Sequence, residues 1–159
     1  MKKRLFTIAA AAVGLFVMAA LVAASIWPVI RVVETGSTPE YPKIQPLYYS
    51  ADGQRVFEEA TASVKALDRW TLKDTNKANL TLKAEATAPL VGFTHDIDVR
   101  VERVTEFVTR VHIRSASRVG KGDLGQNARN IRALSAELER RLGSVRFDPR
   151  SIAKKREEK

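Results

Sequence analysis

From Leu5 to Ile30 the chain carries no charged residue, and only Thr7, Gly14, Ser25 and Pro28 interrupt an otherwise apolar run. About twenty such residues span a hydrocarbon core of ~30 Å, so the run predicts an N-terminal transmembrane helix. Downstream the pattern becomes amphipathic. Val56, Phe57, Ala60, Val64 and Leu67 recur at helical spacing after a candidate N-cap at Ser50 or Asp52, with Arg55, Glu58, Glu59, Lys65 and Arg69 on the opposite side. A short apolar piece, Leu47 to Tyr49, precedes that helix, and after Trp70 to Lys73 a turn composition at Asp74 to Lys77 leads to a stretch where Leu80, Leu82, Ala84 and Ala86 alternate with polar residues. Ile97, Val99 and Val101 repeat that period, and so do Phe107, Thr109, Val111 and Ile113 after a tight turn near Arg103 to Glu106. The last element opens with a capping-box pattern, Asp123 to Gln126, and places Leu124, Ala128, Ile131, Leu134, Leu138 and Leu142 on one face before Gly143 ends it.

Strand, helix, three or four antiparallel strands and a closing helix predict an α+β domain of two layers, with both amphipathic helices on one face of an antiparallel sheet. The expected organisation is an anchor over 1–30, a Pro/Gly linker over 31–46 built around Gly36, Pro39, Pro42 and Pro46, the domain over 47–143, and a basic mobile tail over 144–159. Lys2, Lys3 and Arg4 before the apolar run outweigh Arg31 after it, which places the N-terminus in the cytoplasm and the domain on the extracytoplasmic, periplasmic side of the cell membrane. Trp27 suits the far interface. A signal peptide cleaved after Ala24 is the competing reading, and it also exports the domain.

The formal charge of +9 changes this picture less than its size suggests. Lys2, Lys3 and Arg4 supply +3, and the segment from Ser144 to Lys159, with six basic and three acidic residues, supplies another +3. The rest of the excess is concentrated between Arg100 and Arg132, where eight basic residues face three acidic ones. Together with export, this argues against a nucleic-acid partner. The chain has no cysteine, so disulfides, thiolate metal sites and a cysteine nucleophile are excluded.

Three stretches carry a resemblance. Thr35-Gly-Ser-Thr-Pro-Glu-Tyr-Pro42, Thr87-Ala-Pro-Leu-Val-Gly-Phe-Thr-His-Asp96 and Arg114-Ser-Ala-Ser-Arg-Val-Gly-Lys-Gly-Asp-Leu-Gly-Gln-Asn-Ala-Arg129 resemble the landmark segments of the bacterial domain-of-unknown-function 1499 family. The resemblance implies a membrane-associated or exported module and carries no catalytic assignment. Read by its chemistry, the third stretch is a strand entering a glycine-rich turn and then a helix N-terminus, which presents backbone N–H groups and a positive dipole end to an anion. The candidate anion ligands are Arg114, Ser117, Arg118, Gly120, Lys121, Gly125 and Arg129, with Asp123, Gln126 and Asn127 in structural roles. The bland alternative is a glycine turn capped by Asp123, with surface arginines around it.

His95 and His112 are the only histidines; both are read as surface strand residues, and neither belongs to an HExxH, nucleophile-elbow or P-loop spacing. Asp96 and Asp98 are read as cross-strand ion-pair partners rather than metal ligands. The expectation is therefore a non-enzymatic binding or interaction module without cofactor or metal. Its expected contacts are the membrane through its N-terminal helix and an anionic small molecule, lipid headgroup or envelope protein. An assembly factor of the cell envelope, and a hydrolase with an unrecognised site, are the alternatives.

Overall fold

The computed structural model describes residues 11–19, 21–22, 30–89, 92–120 and 122–149. Residues 11–19 and 21–22 are helical and exposed. Among the described residues no helix is long and apolar enough to cross a membrane; much of the Leu5 to Ile30 run lies outside them. The domain runs β1 (Val32–Glu34), β2 (Leu47–Tyr49), α1 (Gly53–Ala66), β3 (Trp70–Asn76), β4 (Thr81–Thr87), β5 (Thr94–Arg103), β6 (Thr109–Ser117) and α2 (Gln126–Leu142), followed by a 3-10 turn at Gly143–Val145.

The six strands form one antiparallel sheet in the order β1-β6-β5-β4-β3, with β2 also pairing β6. The two-layer α+β expectation holds for this domain. Strand alternation decides which side chains meet the helices. Leu82, Ala84, Ile97, Val99, Val101, Val111 and Ile113 turn inward and are buried against Val56, Phe57, Ala60 and Val64 of α1 and Ile131, Leu134 and Leu138 of α2. The opposite face keeps the polar alternates, including Lys83, Glu85, Asp96, Asp98, Arg110, His112 and Arg114. Helix α1 starts where the sequence offers a cap, since Asp52 Oδ2 accepts the N–H of Gln54 at 2.8 Å.

Several local expectations give way. The stretch read as a linker belongs to the domain: β1 pairs Val32 with Ala116, Val33 and Ile44 are core residues, and Thr35 Oγ1 accepts the Ile113 N–H at 3.1 Å. Its prolines shape a loop between two short edge strands rather than a connector. The expected turn at Asp74 to Lys77 is displaced, because β3 runs on through Asn76 past an irregularity between Leu72 and Asp74, and Leu80 occupies the turn with φ 50°. Phe107 does not join the inner face of β6. It lies in the β5–β6 turn, 73% exposed, where Val104 N–H donates to Val108 O at 2.9 Å. Leu124 stays outside α2, exposed, also at φ 50°. Gly143 does end α2, as its C-cap, but with right-handed helical angles rather than the left-handed ones usual for glycine there, and it opens the 3-10 turn. The beginning of the expected tail docks: Ser50 N–H donates to Val145 O at 2.7 Å and Phe147 N–H to Tyr48 O at 2.9 Å. Residues 150–159 lie outside the described ones.

Candidate functional site: a cavity at one end of the sheet

The register of the sheet sets His95 of β5 beside Ser117 of β6, both pointing inward, under the first turn of α2. Apolar packing ends there and a polar network replaces it. Asn127, fully buried, is its hub: Nδ2 donates to the Arg31 carbonyl at 2.9 Å and to Ser117 Oγ at 3.1 Å, while Oδ1 accepts from Ser115 Oγ at 2.7 Å and lies 2.9 Å from His95 Nδ1. Because a backbone carbonyl can only accept, the Arg31 contact fixes the amide orientation and makes Nδ1 of His95 the donor. Asn130 Nδ2 extends the network to Ser115 Oγ at 3.2 Å, and Gln126 Nε2 reaches Asn130 Oδ1 at 2.8 Å. His95 is therefore a buried network member, not the surface residue its isolation in the sequence suggests.

Above this floor opens a cavity of about 390 Å³, walled by Ala88, Pro89 and Phe93 of the β4–β5 connection and by Val119, Leu124 and Arg129 of the segment from β6 into α2, with His95, Ser117, Gly122, Asp123 and Gln126 also lining it. Phe93, Val119 and Leu124 are more than half exposed around it. The volume falls in the range of small-molecule pockets, and the composition matches their usual pattern of apolar walls with a few polar groups.

The cavity adjoins His95, Ser117 and Asp123, a combination that invites comparison with a nucleophilic triad. The hydrogen bonding rules against one. Nδ1 of His95 already carries its proton toward Asn127, so it cannot take one from Ser117 Oγ 3.2 Å away. Asp123 is spent on the helix: Oδ1 accepts the Gly125 N–H at 2.9 Å, and Oδ2 accepts the Asn127 N–H. This carboxylate is itself the anion at the N-terminus of α2. The capping box does not form, since the Gln126 side chain turns to Asn130 and Arg129 rather than back to the Asp123 backbone.

The candidate anion ligands do not converge. Gly120 and Gly125 make the turn, with φ of 86° and 77°, and Arg129 and Ser117 line the cavity. Arg114 and Arg118 lie on the other sheet face. Arg114 donates to Asp98 Oδ2 at 2.9 Å, and Arg118 Nη2 bridges Glu85 Oε1 at 2.5 Å and Asp96 Oδ1 at 2.6 Å. Hydrogen bonding from Arg118 holds the Glu85 carboxyl below its ordinary range. Lys121 lies outside the described residues. The outer face also carries a shallower hollow of about 310 Å³ beside His112, where the Arg114 guanidinium is engaged with Asp98. Among the described residues no group of three His, Cys, Asp or Glu side chains is placed to hold a metal ion.

Asn127 could be flagged from the sequence, as an amide on the inner face of α2. The Arg31 carbonyl and His95 could not, because nothing local announces partners 96 and 32 residues away.

Among solved structures, the chain is similar to the Zhui aromatase/cyclase of Streptomyces sp. R1128, with a TM-score of 0.42 and 15% identity over 70% of this chain and 94% of that one. No curated protein matches it in sequence. A family model does, over residues 19–138, and its span takes in β1 through most of α2 with every described wall of the cavity: the chain belongs to the family of proteins of unknown function designated DUF1499.

Proposed function

We propose that this protein is a membrane-tethered binding module, held on the extracytoplasmic side, whose cavity takes a small amphipathic molecule with an apolar body and an anionic end. The cavity of about 390 Å³ carries this reading, because its walls are apolar while Arg129 brings a positive charge to one side and His95 and Ser117 offer polar atoms at its floor. The anionic envelope component expected from the sequence thereby becomes a molecule gripped mainly by apolar contact. Binding rather than catalysis is proposed, since the histidine proton and the Asp123 carboxylate are both committed to holding the fold. The tether is supported by the charge-free run from Leu5 to Ile30 and by the helical stretch over 11–19, where Leu15 and Phe16 are 75% and 76% exposed, an arrangement that favours lipid over water.

Mass spectrometry of small molecules and lipids that co-purify with the full-length protein in mild detergent tests this. A retained molecule is expected, and Val119→Trp, which crowds the cavity, and Arg129→Ala should each reduce its occupancy several-fold. A molecule whose occupancy neither variant alters, or no retained molecule at all, removes the cavity from consideration.

A further inference from the structure

We infer that the cavity end of the domain lies against the bilayer, with Phe93, Val119 and Leu124 in the lipid interface, so that the cavity opens toward the membrane. The inference rests on the tether proposed above and adds the orientation of the domain. The deciding observation is where the apolar run enters the fold. Ile30 already packs on the core, Ser117 N–H donates to Arg31 O at 2.8 Å, and the Arg31 guanidinium donates to the carbonyls of Ser117 and Arg118 at 3.3 and 3.4 Å. No spacer separates the run from the domain, because Arg31 is fixed in the fold and β1 begins at the next residue. At about 3.5 Å per extended residue, the last residues of the run cannot carry the domain away from the membrane.

The attachment point coincides with the cavity end. Arg118 N–H donates to Thr94 O at 3.3 Å and Ala88 N–H to Phe93 O at 2.9 Å, which ties the chain entry, the β4–β5 connection and the end of β6 together. From Ala88 to Phe93 that connection contains no polar side chain, an unusual composition for a loop facing water. Leu124 adds to the case: it holds a left-handed backbone and still leaves its side chain 59% exposed, so the strain is not offset by burial within the domain. Exposed apolar residues also occur at the opposite end, at Val104 and Phe107. The ten residues of β5 place that end roughly 30 Å away, beyond reach of the interface.

The absence of cysteine makes the test direct. Full-length Phe93→Cys, Val119→Cys, Leu124→Cys and Phe107→Cys variants, each carrying an environment-sensitive fluorophore, are reconstituted into phosphatidylethanolamine vesicles containing phosphatidylglycerol and nitroxide-labelled lipid. Strong quenching and a blue shift are expected at the first three positions and neither at Phe107. Equal quenching at all four, quenching confined to Phe107, or full accessibility of the first three to aqueous iodide would overturn the orientation. An alkaline carbonate wash separates the two readings. Protein that stays in the pellet with unquenched probes refutes the orientation alone, whereas protein released by the wash refutes the tether and the orientation with it.

Discussion

Asn127 spends both ends of its amide on four partners drawn from β5, β6 and the chain segment before β1. Asn127→Ala strands several buried polar groups at once, and the cost is set by their desolvation more than by the bonds themselves. A loss of about 2–4 kcal/mol is expected, measurable as a fall of roughly 10 °C in melting temperature. Asn127→Asp keeps the acceptor toward Ser115 and His95 but loses the donor to Arg31 O, so it should recover only part of that loss. His112 makes a prediction about pH. Its Nε2 is buried without a hydrogen-bond partner, 3.8 Å from Glu102 Oε2. Burial first, then the charges of Arg110 and Arg100, lowers its pKa below 6.5 against the opposing pull of Glu102 and Glu34. On acidification the unfolded chain therefore takes up this proton before the folded one does. Stability should fall as pH drops from 6.5 toward the lower folded value. His112→Gln should flatten the denaturation midpoint across that window, ahead of the loss as Glu102 protonates below 4.5.

The ends of α2 separate capping from charge decoration. Asp123→Ala removes the acceptor for the N–H groups of Gly125 and Asn127 and should cost about 1–2 kcal/mol. Arg118→Ala breaks pairs with Asp96 and Glu85 that are open to water and should lower the same melt clearly less than Asp123→Ala does. At the other end of the helix, truncation after Gly143 removes the contacts of Val145 and Phe147 with Ser50 and Tyr48, and should lower the melting temperature by more than about 3 °C. Truncation after Pro149 should shift it by less than about 2 °C. These contrasts follow what was legible in the sequence. Periodicity located α1, β4, β5, β6 and α2 because each buries one face over several residues. It missed β1 because three residues cannot establish a period, and because prolines that follow a strand resemble prolines of a linker. It misplaced Leu124 because an apolar residue two positions before a helix falls on the helical angle without being in the helix. The glycine turn was visible, but not that Gly125 rather than Asp123 takes the N-cap position while Asp123 reaches the helix N–H groups from two residues before it, nor the commitment of Arg114 and Arg118 to acidic partners. Cross-strand register decides which carboxylates an arginine meets, and register is a property of the whole sheet.

For the molecule as a whole, the charge asymmetry around the apolar run predicts that a reporter active only outside the cytoplasm, fused after Lys159, is active in cells. A silent reporter on a stably expressed fusion would reverse the assignment. The sheet order β1-β6-β5-β4-β3 also has a temporal side. Synthesis delivers β1 and β2 before the other strands, yet among the described residues their only strand partner is β6, and Val32 waits for Ala116 while Leu47 waits for Val111. The meander from β3 to β6 can assemble from neighbours, whereas the first two strands close loops of high sequence separation and cannot pair until nearly all of the domain has emerged. Nascent chains arrested before Val111 should accordingly be cut by protease between Val32 and Tyr49, and chains extended past Leu142 should resist. The segment that joins the domain to its apolar run is made early and yet cannot lock until β6 has emerged.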